Sequence, residues 1–336
     1  MFYIRADANS NIGMGHIMRC LSIADAAREI GCEATFILSD EASAQIVTNR
    51  GYSTIILHSD YTSLDDELPL WPEIRADFVI VDSYYVTESY LTSLKQKTCL
   101  VYLDDLASFA YPVDVIINYN AYGPSINYNS LYRQYKLPDL ILGVDYAPLR
   151  AMFREVKKKK QKKDVRDIFV SLGGSDPNHL SLKMIRTKSQ KYIYHILVGN
   201  MNSDKEEIKK YADDHVVIHE DVEDMKTLIS ACDIAVSAAG STLYEICACG
   251  VPLITFVTAD NQTYGASAFE RLGLAVNLGE IRGEDEIVEG LKNAIEKLTE
   301  NYDLRVEMGQ RMQTMIDGFG ARRIVEQLLK YRAELL

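Results

Sequence analysis

Short runs of apolar residues alternate along this chain with longer segments in which apolar residues recur every three or four positions. The first run, 2–6, leads into a helical pattern over 16–30 that ends at Gly31. Short apolar or β-branched runs predict buried strands, and the longer period predicts helices packed on them. Their alternation predicts parallel βαβ units. The first half has predicted strands at 2–6, 34–38, 54–57, 78–82, 99–103 and 115–118, and predicted helices at 16–30 and 41–49.

The same alternation restarts after residue 165, which predicts a second domain. Between the two patterns, the lysine-rich run 156–164 predicts a solvated linker or an exposed strand edge. We expect an α/β protein with two Rossmann-like domains facing across a cleft, over 1–155 and 165–318. The sequence leaves open whether the terminal helix 319–336 crosses back to the first domain. The second half has predicted strands at 167–172, 193–198, 216–219, 234–237 and 252–256, and predicted helices at 205–211, 224–231, 241–249, 284–298, 304–315 and 320–335.

Composition narrows the class of protein. A net charge of −12 disfavours nucleic-acid binding. No apolar run approaches the roughly 20 residues that span a bilayer, and the N-terminus leads straight into a strand rather than a signal peptide. The six cysteines contain no Cys-x-x-Cys pair, which predicts reduced, buried thiols and no metal site. We expect a cytoplasmic protein without membrane insertion; a monomer is compatible with the sequence, which leaves the oligomeric state open.

The turn Gly13-Met14-Gly15-His16 joins the first predicted strand to the first predicted helix. Open α/β sheets bind ligands at such carboxyl ends of strands. The helix dipole disfavours imidazolium at this position, so His16 is expected to be neutral and able to act as a general base. The alternative is a glycine-rich turn with an incidental histidine. Met18 stands where a dinucleotide fingerprint needs its third glycine, and no Walker A loop is present, which argues against NAD or ATP.

A second turn, Gly240-Ser241-Thr242, follows the predicted strand 234–237 and opens a helix. Free amides and two hydroxyls at a helix N-terminus suit a diphosphate. Glu245 lies one turn along the same helix face and can accept hydrogen bonds from ribose hydroxyls. The alternative is a capping box in which these residues only start the helix.

Two further loops carry candidate binding residues. Asp260, Asn261 and Gln262 precede another helix and can hold sugar hydroxyls or acetamido groups; alternatively, they cap that helix. Gly173-Gly174-Ser175 allows the backbone to approach a phosphate or sugar closely, and its alternative is a tight turn. Ser175 or Asp176 can cap a following helix with Pro177 in its first turn.

Taken together, these motifs resemble the UDP-2,4-diacetamido-2,4,6-trideoxy-β-L-altropyranose hydrolase family of pseudaminic acid biosynthesis. More distantly, the chain resembles the lipid II N-acetylglucosaminyltransferase and other glycosyltransferases of the B fold (GT-B). The resemblance covers most of 2–275. Its motifs are Arg5-Ala-Asp-Ala, Gly13-x-Gly15-His16-x-x-Arg19-Cys20-Leu21, Val81-Asp82-x-Tyr84, Asp104-Asp105-Leu106-Ala107, Leu142-Gly143-x-x-Tyr146-Ala147-x-Leu149-Arg150, Gly173-Gly174-Ser175-Asp176-Pro177, Gly240-Ser241-Thr242-x-x-Glu245 and Asp260-Asn261-Gln262.

The resemblance implies roles for individual residues. It makes His16 the catalytic histidine that activates water, places Val222 in a loop that reads uracil through backbone groups, and makes Tyr84 a cleft tyrosine of the first domain. Ser83 departs from the family, which has histidine there, so the sugar can differ. Asp7, Asp82 and Asp104 are secondary candidates, and Arg19 is either a substrate contact or a structural ion pair. The implied substrate contacts are Gly13, Gly15, Arg19, Tyr84, Gly173, Gly174, Ser175, Val222, Gly240, Ser241, Thr242, Glu245, Asp260, Asn261 and Gln262.

The expected reaction is hydrolysis of a UDP-linked 2,4-diacetamido-2,4,6-trideoxy sugar at its anomeric C–O bond, with inversion and with His16 as the base. UDP is part of the substrate, and no cofactor is expected. One alternative is a UDP-sugar-dependent glycosyltransferase of a surface or spore polysaccharide pathway. Another is a UDP-sugar-binding protein without turnover.

Overall fold

A computed structural model describes residues 1–9, 12–41, 43–73, 75–174, 176, 178–280 and 284–335. The chain divides into two compact units. The first comprises Met1–Ala151 and Phe319–Leu336, and the second comprises Met152–Gly318. Each unit is built on its own parallel sheet.

The described residues of the first unit contain a sheet of seven parallel strands: β1 (Phe2–Ala6), β2 (Ala34–Leu38), β3 (Ser53–Ile56), β4 (Phe78–Asp82), β5 (Cys99–Leu103), β6 (Val115–Asn118) and β7 (Asp139–Leu142). Their order is β3-β2-β1-β4-β5-β6-β7. The direction in which strands are added to the sheet therefore reverses between β1 and β4. Open parallel sheets bind ligands at such a switch point. The helices are α1 (Gly15–Glu29), α2 (Ala44–Asn49), α3 (Leu64–Glu67), α4 (Glu88–Lys95) and α5 (Tyr128–Leu131).

The central strands explain why apolar runs predicted this sheet so well. Every residue of β2, β4, β5 and β6 is buried. Parallel strands covered on both faces read as continuous apolar runs. The edge strand β7 was not predicted, because it is partly exposed and opens with Asp139.

The second unit has a sheet of six parallel strands within its described residues: β8 (Asp167–Ser171), β9 (Ile193–Leu197), β10 (Val216–His219), β11 (Ile234–Ala238), β12 (Leu253–Val257) and β13 (Val276–Glu280). The order β10-β9-β8-β11-β12-β13 puts the switch point between β8 and β11. The partly exposed edge strand β13 was also not predicted. The helices are α6 (Leu180–Arg186), α7 (Lys205–Lys209), α8 (Met225–Ala231), α9 (Thr242–Cys249), α10 (Thr263–Arg271), α11 (Glu284–Glu300) and α12 (Tyr302–Met315).

The predicted α/β fold with two Rossmann-like sheets is confirmed. The last helix, α13 (Gly320–Leu335), packs against α1 and belongs to the first unit. Gly320 permits this return, because a Cβ at that position would lie 2.2 Å from the carbonyl oxygen of Ala147. Among the described residues, no helix combines the length and the apolar character needed to cross a bilayer.

The lysine-rich run 156–164 is solvated as predicted, with five of its six lysines exposed, but two of its side chains point inward. It belongs to the second unit. Lys159 Nζ donates to the carbonyl oxygens of Ser230 and Cys232 at 2.5 and 2.7 Å, and burial lowers the pKa of Lys159. Gln161 donates to the carbonyl oxygen of Gly250 at 2.9 Å. Inward-pointing side chains attach the run to the domain surface, while most of its other lysines are exposed.

Candidate active site and UDP-binding loops

The switch point of the first sheet brings His16 and Asp82 together. Gly13, at φ +72°, reverses the chain after β1 so that α1 can begin at Gly15. Asp82 is the last residue of β4, in register with Ala6 of β1. His16 Nδ1 lies 2.5 Å from Asp82 Oδ1, and His16 is only 6% exposed.

Asp82 is held in place by Arg19, one turn along α1 from His16. Arg19 Nε donates to Oδ2 at 2.7 Å, and Nη2 donates to Oδ1 at 2.5 Å. Burial opposes ionisation of Asp82, but the charge of Arg19 and the hydrogen bonds from Arg19 and His16 outweigh it and hold the pKa of Asp82 well below its usual range. A carboxylate can only accept hydrogen bonds, so in the neutral ring Nδ1 carries the proton and Nε2 has the free lone pair. His16 Nε2 makes no hydrogen bond to any described residue.

Arg19 also contacts a second carboxylate. Its Nη1 donates to Asp105 at 2.9 and 3.2 Å and to the Tyr119 hydroxyl at 3.0 Å. All three guanidinium nitrogens therefore have partners within the unit, as the ion-pair alternative for Arg19 requires. The motifs pointed to Asp104, whereas its neighbour Asp105 reaches Arg19. The sequence motif Asp104-Asp105 could have pointed to Asp105 as well, whereas no feature of the sequence pointed to Tyr119.

Tyr84 lies against the His16 ring. Their ring centroids are 4.6 Å apart in an edge-on arrangement. The Tyr84 hydroxyl donates to Asp105 at 3.0 Å, and burial together with the Asp105 charge raises the pKa of Tyr84. Even so, Tyr84 is 38% exposed, so part of it remains available to a ligand.

The other two aspartates predicted as secondary candidates shape loops. Asp7 Oδ1 accepts hydrogen bonds from the backbone and hydroxyl of Ser39 at 2.8 and 2.9 Å, and its other oxygen accepts from buried Arg5. Asp104 accepts from the backbone amides of Leu106 and Ala107, both at 2.8 Å. Both carboxylates are buried and engaged by the protein.

In the second unit, Gly240, Ser241 and Thr242 lie directly after β11 at the switch point. Ser241 is exposed and makes no side-chain capping bond, so the capping-box alternative does not hold for it. The backbone amides of Ser241 and Thr242 donate to no described residue. Glu245 is half-buried on the first turn of α9. The loop thus offers two amides and two hydroxyls at a helix N-terminus, as an anion requires.

The loop after β8 is packed closely against the loop after β9. A Cβ at Gly199 would lie 2.3 Å from the carbonyl oxygen of Gly174, so only glycine fits there. Gly173 adopts φ +95°. Asp176 accepts hydrogen bonds from the first two amides of α6, which begins at Leu180 rather than at the predicted position near Pro177. Ser175 and Pro177 lie outside the described residues.

The remaining predicted residues follow β10 and β12. Val222 is half-buried beside Asp221, whose carboxylate accepts from Asn200 at 2.7 Å. Gln262 Oε1 accepts from the backbone and hydroxyl of Thr258 at 2.9 and 3.0 Å, so that oxygen closes its own loop.

Asp260 and Asn261 are exposed on a 3₁₀ turn and form no side-chain cap. Among the residues described, no group of three or more His, Cys, Asp and Glu side chains is arranged to hold a metal ion.

Relatives by sequence include the spore coat polysaccharide biosynthesis protein SpsG of Bacillus subtilis, which is 24% identical over 96% of this chain and 95% of its own length. The UDP-2,4-diacetamido-2,4,6-trideoxy-beta-L-altropyranose hydrolase of Campylobacter jejuni is 27% identical over 68% of this chain and 83% of its own length. The uncharacterized protein MJ1062 of Methanocaldococcus jannaschii is 23% identical over 75% of this chain, and the match spans only 54% of MJ1062. The suspected relationship to the hydrolases is thus confirmed.

Solved structures agree on the fold. The crystal structure of Acinetobacter baumannii MurG aligns over 98% of this chain and 99% of its own, with a TM-score of 0.67 and 14% identity. This likeness confirms the GT-B fold class. The family model described as glycosyltransferase family 28 C-terminal domain matches residues 147–328, more than half of the chain. The chain therefore belongs to the glycosyltransferase family 28 C-terminal domain family.

Proposed function

We propose that the protein hydrolyses a UDP-linked 2,4-diacetamido-2,4,6-trideoxy sugar at the anomeric carbon. The observation that carries this proposal is the pair of His16 and Asp82, joined at 2.5 Å, with no hydrogen bond between His16 Nε2 and any described residue. A histidine whose second nitrogen is fixed by a carboxylate is a general base of defined orientation. The name of the Campylobacter jejuni relative supports the choice of sugar.

The proposed chemistry uses few groups. Nε2 of His16 takes a proton from a water molecule as the water oxygen forms a bond to C1 of the sugar. The C1–O bond to the diphosphate breaks, and its electron pair leaves with UDP. Attack opposite the leaving group inverts C1. Asp82 stabilises the imidazolium that forms, and the proton then passes to solvent.

In the second unit, UDP is proposed to bind at Gly240–Thr242. The two unengaged amides, the hydroxyls of Ser241 and Thr242 and the positive end of α9 suit a diphosphate whose charge grows as the bond breaks. We assign Glu245 to the ribose, Val222 to the base, and Asp260 and Asn261 to the sugar. The glycines at 173 and 174 allow close backbone approach. UDP is part of the substrate, and the proposed reaction uses no cofactor.

A UDP-sugar-dependent glycosyltransferase is the second candidate. The GT-B fold and the name of the Bacillus subtilis relative favour it. In that case the acceptor hydroxyl takes the place of water against C1, and His16 deprotonates it.

The direct test mixes the purified protein with UDP-2,4-diacetamido-2,4,6-trideoxy-β-L-altropyranose and follows UDP release, with UDP-N-acetylglucosamine as the control substrate. ¹H NMR of the first-formed sugar reports the anomer. We expect fast UDP release without an acceptor and an inverted product. UDP binding without release would reject the hydrolase in favour of the transferase, which is then tested with acceptors.

A further inference from the structure

Arg19 lies between two carboxylates on two neighbouring strand ends. It donates to Asp82 through Nε and Nη2 and to Asp105 through Nη1. The side chains of Arg19 and Asp105 are 10% and 12% exposed, and that of Asp82 is fully buried. Ion pairs shielded from water in this way act more strongly on their neighbours than surface pairs do.

We infer that Arg19 and Asp105 are positioning residues that together set how readily His16 takes up a proton. Arg19 fixes the Asp82 carboxylate against Nδ1 of His16. Asp105 holds Arg19 in place and offsets part of its charge. This inference rests on the proposed role of His16 as the base.

Among the described residues linked to His16 by the contacts named above, Asp82, Arg19 and Asp105 carry fixed charges. Burial raises the pKa values of Cys20 and Tyr84 and raises that of Tyr119 to about 12, so these three groups are neutral near pH 7. In the part of the chain that the structure describes, the titratable and charged side chains that contact His16 or its partners include Asp82, Arg19, Cys20, Tyr84, Asp105 and Tyr119.

The two residues are expected to act in opposite directions. Arg19 Nη2 lies 3.2 Å from His16 Nδ1, and its positive charge disfavours the imidazolium. Without Arg19, the Asp82 carboxylate acts unopposed, and His16 keeps its proton to a higher pH. Without the Asp105 charge, Arg19 acts unopposed, and His16 loses its proton at a lower pH. If Arg19 and Asp105 had only a structural role, their removal would not shift the protonation of His16 in opposite directions.

The test is an NMR titration of the histidine Cε1–H signals in the full chain, with His16→Gln to assign one signal among the six histidines. Arg19→Met is expected to raise the titration midpoint by about one pH unit or more, since a charge this close outweighs screening. Asp105→Asn is expected to lower the midpoint by roughly half a unit, because its charge is farther away. The controls are Arg75→Met and Asp66→Asn, both exposed in the same unit.

Arg19→Lys keeps the positive charge but loses the planar guanidinium group, which donates hydrogen bonds to two carboxylates at once. We expect its midpoint to stay near that of the wild type while kcat falls. If Arg19→Met does not fold, the Lys and Asn variants carry the test. Shifts of Arg19→Met and Asp105→Asn in the same direction, or no shift of Asp105→Asn beyond that of its control, would overturn the inference.

The titration needs no substrate, so it separates this inference from the proposed function. Opposite shifts in a protein that releases no UDP from any nucleotide sugar would overturn the hydrolase and keep the positioning roles. Turnover without opposite shifts would overturn the positioning roles alone.

Discussion

Nδ1 of His16 donates a hydrogen bond to Oδ1 of Asp82 across 2.5 Å, although the two residues are 66 positions apart in the chain. They meet because β1 and β4 are neighbours in the sheet, so the residues that follow one strand face the end of the other. The pair fixes which nitrogen of the ring is available for chemistry.

Replacing His16 by Gln is expected to lower kcat by roughly 10²–10⁴-fold, the usual contribution of a general base. UDP affinity, measured by calorimetry, is expected to stay the same, because UDP is assigned to the second unit. His58→Asn is a matched control, since His58 is exposed in the same unit. Near wild-type turnover in His16→Gln would remove the base assignment.

Asp82→Asn is expected to lower kcat by about 10²-fold or more while changing KM little. An amide can present its NH₂ group to Nδ1, which favours the ring tautomer with the proton on Nε2, and that tautomer cannot accept a proton from water. Steady-state kinetics of UDP release measures both constants. A rise in KM at constant kcat would instead assign Asp82 to substrate binding.

The depressed pKa of Asp82 predicts how stability depends on pH. The folded state holds this carboxylate ionised to a lower pH than the unfolded chain does, where its pKa is about 4. Its contribution is therefore complete above that value and is lost as pH falls toward the folded-state pKa. Urea unfolding of the wild type and Asp82→Asn should show a stability difference that shrinks as the pH falls below about 4. A difference that is independent of pH would contradict this account.

The double variant Ser241→Ala/Thr242→Ala is expected to weaken UDP binding by roughly 10²–10⁴-fold, since hydrogen bonds to charged groups contribute about 1.5–3 kcal/mol each and every 1.4 kcal/mol is about a factor of ten in affinity. Its thermal stability should stay near that of the wild type, because Ser241 makes no capping bond. Thr314→Ala, on an exposed position of α12, is the control. Unchanged UDP affinity would exclude this loop as the diphosphate site.

Glu67→Gln tests the buried ion network under the first sheet. Glu67 receives two hydrogen bonds from Arg5 at 2.8 and 2.7 Å and one from the Tyr90 hydroxyl at 2.6 Å, and none of the three residues is exposed. Removing one charge leaves Arg5 without its main counter-ion, so the free energy of unfolding should fall by about 3–5 kcal/mol. Urea unfolding at pH 7 measures the loss. A change below 1 kcal/mol would show that Asp7 alone can balance Arg5.

Much of the architecture followed from sequence pattern alone. Buried parallel strands such as Phe78–Asp82 are apolar up to their last residue because helices cover both faces of the sheet, and this signal is local. The edge strands Asp139–Leu142 and Val276–Glu280 mix polar and exposed residues with apolar ones and were not predicted. The edge strands Ser53–Ile56 and Val216–His219 were predicted, because their β-branched residues still mark them as strands. Glycine-rich turns likewise marked the strand ends where His16 and Ser241 lie.

The tertiary structure decided which polar groups meet. Asp82 ends β4, Asp105 follows β5, and both are far from Arg19 in the sequence. The strand order β1-β4-β5 brings both carboxylates to Arg19. Sequence could not separate Asp104 from Asp105, because adjacent residues point to different sides and only packing determines which one reaches the site. Charge pairing is a property of distances in space. The sequence alone therefore determined the strands, helices and turns, while the fold decided the partners of His16.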